Sequence, residues 1–345
     1  MELEYPFLWE ALKDEDVLLY GIGDGADKIF ARCEEYGINV VGVFVTDSFY
    51  REKTYKGFKI LKRSEALQNF SDAVILLCFG LFEPADLEDI KQLSKERTVY
   101  APDVPVLGEG LVTYQSLKSK REDIEKAYSL LYSDADRKIF KNLLEYKLSG
   151  NITPLISAET SRANDLKSLF SLKRPYTFAD LGAYRGDTIE ETVSLFGEPK
   201  KVYALEPAPV NFRKMQEAYG DKENYILIQS AAYKENREVP FSDKSGRGAK
   251  IGGKRTVKAI TVDCLALEEL DYLKIDVEGA EADALTGAKE TINRTKPFIS
   301  LSAYHRMWDM VDLILYINKA HPFYKIHLRH HPYIPAWDVM LYLTT

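Results

Sequence analysis

Cysteine is scarce and scattered. The 345 residues hold only three, Cys33, Cys78 and Cys264, too isolated for a disulfide framework or a cysteine-based zinc site. Reduced thiols in a cytoplasmic protein are the simple reading. An excess of positive charge is missing too. Lysine and arginine number 46 against 53 aspartate and glutamate, a net charge of −7. That balance argues against holding nucleic acid by bulk electrostatics and leaves only a local basic patch open. Long apolar runs are absent. VVGVFV and AVILLCFG are of strand length, so no transmembrane span is expected. The acidic start MELEYPFLWEALKDEDV has no signal-peptide core. Histidine is rare, and all five histidines lie between His305 and His331. These bulk features allow an ordinary soluble enzyme, and the chain is long enough for two domains with full cores.

Among what is present, FADLGAYRGDT (Phe178 to Thr188) carries the most information. A short apolar run ends in Asp180, Gly182, Ala183, Tyr184 and Gly186 follow, and an amphipathic pattern begins at Asp187 and Thr188. This reads as strand, glycine turn and helix. In open α/β sheets such turns lie at the carboxyl ends of the strands, where nucleotide-like ligands bind. The next apolar run, VYALEP, ends in Glu206 and Pro207, and an acid there is well placed to accept both ribose hydroxyls of an adenosine. The pair fits a cofactor with adenosine and no pyrophosphate, with S-adenosylmethionine foremost. Ser230 and Ala231, after the third strand of this half, are expected near the adenine, and Asp276 completes the set.

The chain divides into residues 1–112, 113–172 and 173–345. In the first, VLLYGIG, VVGVFVTD and DAVILLCFG are strands alternating with helices, the pattern of a parallel Rossmann-like sheet. Gly21, Gly23 and Ala26 almost form a dinucleotide fingerprint, with Asp47 in the position of a ribose acid. That leaves open NAD binding for an oxidoreductase, or a turn that is merely tightly packed. The middle stretch is charged and helical, a connector whose charges read as a solvated face. The last part alternates again, with strands expected at 178–181, 202–206, 225–229, 257–262, 272–276, 298–303, 324–329 and 339–343. The short connection PYIPAW favours an antiparallel closing pair. A mostly parallel seven-stranded sheet with an antiparallel final strand is the class I methyltransferase architecture.

The rear half resembles the FkbM-type methyltransferases. FADLGAYRGDTIEE, KVYALEPAPVNF, ITVDCL, YLKIDVEGAEADALTGAKETI, KPFISLSAYHRMWDM, YKIHLRHH and VMLY stand in the family's order, and LYSDADRKIFKNLLEYKLSGN resembles a segment that precedes the catalytic domain in one branch. The first hundred residues resemble the nucleotide-sugar-binding Rossmann-like domain at the front of certain sugar acetyltransferases. Together the resemblances imply O-methyl transfer from S-adenosylmethionine to a carbohydrate hydroxyl, on a small molecule, a glycan or a nucleotide-sugar precursor. Asp338 replaces an expected Glu, and His330 with His331 replaces a His-aromatic pair. Both departures bear on the substrate more than on the reaction. The alternatives are a non-catalytic nucleotide or nucleotide-sugar binding protein and the NAD-dependent oxidoreductase.

Methyl transfer is an in-line displacement, so alignment of the nucleophile is the main task. A hydroxyl needs a base, or a metal that lowers its pKa. Asp276 and Glu278 of KIDVEG, two residues apart, project similarly if the strand persists. They could bind a divalent cation, hold the substrate or orient the cofactor, while Glu278 could instead merely cap the next helix. Lys274 lies on the same side and could neutralise one acid. His305, after the strand FISLSAY, is the candidate base, or a surface residue. Tyr304 and Trp308 could stack on a sugar ring or pack in the core. The loop Ser242 to Thr256, rich in Gly, Lys and Arg, could meet a phosphate-bearing acceptor or remain solvated.

Overall fold

The apolar runs of the front third line up as one sheet. In the computed structural model, which describes residues 5–108, 110–173, 175–242, 250–251 and 255–345, the strands are β1 (Asp16–Tyr20), β2 (Asn39–Val45), β3 (Thr54–Tyr55), β4 (Phe58–Lys62), β5 (Val74–Leu77) and β6 (Val99–Tyr100). Their order is β3-β4-β2-β1-β5-β6. Neighbours are parallel except β3 with β4. Strands β1 and β5 are almost wholly buried, as parallel strands covered on both faces must be. The chain forms two compact units. One gathers residues up to Glu125, Asp134–Thr160 and His330–Asp338, and the other gathers Lys126–Ser133, Ser161–Arg329 and Val339–Thr345.

Helices fill residues 113–172, but one departs from the expected solvated face. Asp134–Ser149 is buried over its last seven residues, Leu143 to Ser149. It belongs to the front unit's core, where buried Lys147 pairs with Asp103 at 3.1 Å. The lysine gave the segment a polar look, yet its stem packs as an apolar chain and its charge finds a partner.

The rear unit holds β7 (Thr177–Leu181), β8 (Lys201–Leu205), β9 (Tyr225–Ile228), β10 (Ala231–Ala232), β11 (Arg237–Ser242), β12 (Lys250–Ile251), β13 (Arg255–Ile260), β14 (Tyr272–Ile275), β15 (Phe298–Ser302), β16 (Lys325–His330) and β17 (Val339–Thr344). Seven of them make the main sheet in the order β16-β17-β15-β14-β7-β8-β9. Strands β15, β14, β7, β8 and β9 are parallel neighbours, and β17 runs antiparallel to β15. This is the α/β class I methyltransferase topology. Phe178 stacks on Tyr272 at 4.7 Å in a core shared with Phe170, Ile189, Met215 and Tyr342.

The expected strand at 257–262 is present at Arg255–Ile260, outside the main sheet. It is β13, in a second, four-stranded sheet ordered β10-β13-β11-β12. Its first residues are exposed and only its end is buried, which suits a partly solvated antiparallel pairing with β11 rather than the two-sided burial of the main sheet. Most of the Ser242 to Thr256 loop lies outside the described residues.

Candidate active site

The central strand β7 reads TFADL and is buried throughout. A carboxylate in such a strand is costly unless it is paired. The parallel register sets Lys274 of β14 directly beside Asp180, and Lys274 Nζ lies 3.0 Å from Asp180 Oδ1. The same ammonium donates to the carbonyl of Gly182 at 2.7 Å. Burial pulls the Lys274 pKa down, but Asp180 and Asp276 outweigh it and hold the group above its ordinary value. The acid Lys274 neutralises most closely is therefore a cross-strand neighbour, not one on its own strand. Asp180 Oδ2 is buried with no hydrogen-bond partner among the described residues.

Two glycines shape the turn after β7. Gly182 has φ +79, and a Cβ there would stand 1.8 Å from the carbonyl oxygen of Asp276. No other residue fits, because the β7 and β14 turns approach backbone to backbone. Gly186, at φ +93, precedes the helix Asp187–Phe196 and faces the Tyr219 ring. Between them Ala183 is buried and Tyr184 is left-handed at φ 51. Thr188 is buried, while Asp187 is exposed at the helix N-terminus.

One residue past β8, Glu206 is buried. Its Oε2 accepts from Tyr184 N–H at 2.9 Å and its Oε1 from Ala208 N–H at 2.8 Å. Burial pushes its pKa up to about 7 against the pull of those two donors. Pro207 is half-buried beside it. Beyond β9, Ser230 and Ala231 are buried, and Ala231 opens β10. Asp180, Gly182, Glu206 and Asp276 thus follow or end strands that are sheet neighbours, at one edge of the sheet.

The far side of this rim converges on His305, three residues after β15 and 1% exposed. Its Nε2 lies 3.5 Å from Asp276 Oδ1 and 3.4 Å from Glu278 Oε2, and its Nδ1 lies 3.0 Å from Glu281 Oε1. Burial alone would lower the imidazole pKa, but Glu281, Glu278 and Asp276 raise it well above its usual value. Extended strand does not persist to Glu278. Strand β14 stops at Ile275, and Glu278 is left-handed at φ 53, so its carboxylate reaches His305 by a turn and not by strand alternation. Burial raises its pKa.

Glu281 escaped the sequence reading. It opens the helix Glu281–Gly287, and its Oε1 accepts from Val277 N–H and Gly279 N–H, both at 3.1 Å. It is thus Glu281 that closes this turn, and not Glu278, for which capping of the next helix is the alternative to a site role. The signal was the second acid of VEGAEA, which resembles any acid in a helix's first turn. Asp309 adds a fourth carboxylate, its pKa raised to about 6 by burial and by Glu281. The Tyr304 ring lies 4.2 Å from that of His305, and Trp308 precedes the helix Asp309–Ala320.

The remaining candidates stand elsewhere. His321 faces Asn293 and His327 faces Thr344. His330 and His331 are both buried, His330 near the Tyr333 carbonyl and His331 3.3 Å from Asp338. In the front unit Gly21 and Gly23 have φ 116 and 108, and Ala26 is buried in the helix Asp24–Tyr36. Asp47 accepts from the Ser64 hydroxyl at 2.9 Å and from its N–H. A Cβ on Gly21 would stand 2.5 Å from the Phe79 ring and one on Gly25 2.2 Å from the Cys78 carbonyl, while one on Gly23 would meet nothing within 4 Å.

Residues 180–331 match the sequence profile of the methyltransferase FkbM domain. The fold is similar to that of the FkbM methyltransferase from Methylobacillus flagellatus KT, with 20% identity, 96% of this chain and 90% of that chain covered and a TM-score of 0.71. Fibrillarin from Aeropyrum pernix, solved with natively bound S-adenosyl-L-methionine, shows 16% identity over 53% of this chain and 73% of its own, with a TM-score of 0.35. No curated protein sequence matches significantly. No helix among the described residues is long and apolar enough to cross a membrane. The matched stretch, under half of the chain, runs from Asp180 through Glu206, Asp276 and His305, and it is this stretch that is similar to the methyltransferase FkbM domain.

Proposed function

We propose that the rear unit transfers a methyl group from S-adenosylmethionine to a hydroxyl of a carbohydrate, on a glycan or nucleotide-sugar precursor. The observation that carries this reading is Asp180. It is a fully buried carboxylate at the end of the central strand, with one oxygen unpartnered and Glu206 one strand away. A buried acid left open at a sheet's carboxyl edge suits a cationic ligand. Asp180 would take the cofactor's ammonium, Glu206 its ribose hydroxyls, and Ser230 and Ala231 the adenine edge.

S-adenosylmethionine, when bound, supplies a methyl that an aligned nucleophile displaces. The protein's part is to place the hydroxyl and receive its proton. Asp276, Glu278 and His305 line the adjoining rim. The carboxylates around His305 favour its charged form, so it suits holding acids better than accepting a proton. Glu278, with a raised pKa, is better matched to the proton of the hydroxyl. The carbohydrate acceptor rests on the family resemblance and on the front unit's Rossmann-like sheet.

The test is transfer of labelled methyl from S-adenosylmethionine to a panel of nucleotide sugars and glycans, followed by mild alkali. An alkali-stable product on a sugar supports an O-methyl ether. Label found only on alkali-labile carboxyl esters, or on nucleic acid, would refute the acceptor class.

A further inference from the structure

We propose that Asp276, Glu281 and His305 form a binding site for a divalent cation. The three come from separate segments: the residue after β14, the first residue of the helix Glu281–Gly287, and the loop after β15. One donor atom from each lies within 4.8 Å of the other two. Ligands at roughly 2.0–2.3 Å from a common ion have such spacings, about 3 Å between adjacent donors and about 4.5 Å between opposite ones.

The second observation is the state of the donors. Among the described residues both ring nitrogens of His305 and Asp276 Oδ1 are buried without a well-aligned hydrogen bond, although carboxylate oxygens of Glu281, Glu278 and Asp276 stand 3.0, 3.4 and 3.5 Å from the ring. Groups so close that do not bond one another are aimed at shared space. The side chain of His305 is 1% exposed, so water cannot easily serve in their place.

Charge points the same way. Asp276, Glu278 and Glu281 all place a carboxylate oxygen within 3.5 Å of this one imidazole. Arg306, next in the chain to His305, directs its Nε to the carbonyl of Gly279 at 3.1 Å. A divalent cation would offset the remaining negative charge and take the place of the imidazole proton. Glu281 is already fixed by two backbone N–H groups to its Oε1, so one donor of the set is held in place before an ion arrives. One nitrogen with carboxylate oxygens favours Mn²⁺ or Zn²⁺ over ions that prefer oxygen alone.

The test uses the full-length chain after chelator treatment and dialysis, titrated with MnCl₂ and separately with ZnCl₂ by calorimetry, without S-adenosylmethionine. Its failure therefore leaves the methyl-transfer reading standing. Wild type should bind about one ion per chain, and His305→Ala and Glu281→Gln should each weaken binding by about tenfold or more. Where those buried variants do not fold, Asp276→Asn at a part-exposed side chain gives the same readout. A mutation-free check is paramagnetic broadening of the His305 ring signals by Mn²⁺ in wild type. Saturable binding with selective broadening of His305 supports the site. Absence of saturable binding of either ion, or binding unchanged in a folded variant, overturns it.

Discussion

Glu206 is a carboxylate whose environment opposes its charge. Burial holds its pKa at about 7 in the cofactor-free protein. A raised carboxyl pKa stabilises the fold below the unfolded value, and that contribution is lost as pH rises through about 7. Glu206→Gln should therefore lose less stability between pH 5 and pH 8 than wild type in urea titrations. Ribose hydroxyls donating to Glu206 would favour its ionised form, so binding releases a proton. Affinity for S-adenosylmethionine should then rise by about tenfold from pH 6 to pH 8 in wild type and stay flat in Glu206→Gln. The same slope in both proteins would remove Glu206 from the ribose site. Lys274 offers a second test at this scale. Replacing it by methionine leaves Asp180 buried without its cation, which should cost about 3–5 kcal/mol of unfolding free energy. Adding Asp180→Asn should recover part of the loss. A near-neutral Lys274→Met would show that the pair is not coupled as the 3.0 Å contact indicates.

At the level of the element, the turn after β7 is the stiffest part of the site. Gly182→Ala must relieve a Cβ placed 1.8 Å from a carbonyl oxygen. That carbonyl belongs to Asp276, whose own N–H is bound to Leu181 at 3.0 Å, so it cannot yield freely. Gly23→Ala is the comparison, because it also has positive φ but nothing within 4 Å. Gly23→Ala should cost about 1–2 kcal/mol from backbone strain alone. Gly182→Ala should add about 1–3 kcal/mol of overpacking or fail to fold, as judged by thermal unfolding. The strands carrying this turn and the rim were legible in the sequence because buried parallel strands are continuous apolar runs ended by glycine or acid. The small second sheet was not. Residues Arg237–Ser242 alternate polar and apolar with a proline among them, a pattern that single-strand reading gives to loops. Glu281 was illegible for another reason. An acid in a helix's first turn is favourable anywhere, and only the folded register brings this one to His305.

For the whole molecule, the alternation of strands and helices pointed to two α/β regions and to a mostly parallel sheet with an antiparallel final strand, since only a few topologies satisfy short right-handed connections. The unit composition was hidden. The front unit draws on 134–160 and 330–338 as well as the first 125 residues, and sequence distance carries no sign of such returns. The central claim concerns the rear unit alone, that it binds S-adenosylmethionine through Glu206 and the β7 turn. Calorimetric titration of the full chain with S-adenosylmethionine, in wild type and in Glu206→Ala of unchanged circular dichroism, tests it most directly. The account predicts one site per chain in wild type and about 100-fold weaker binding in the variant, from two lost charge-assisted hydrogen bonds. No binding by wild type, or equal affinity in the two proteins, would contradict it.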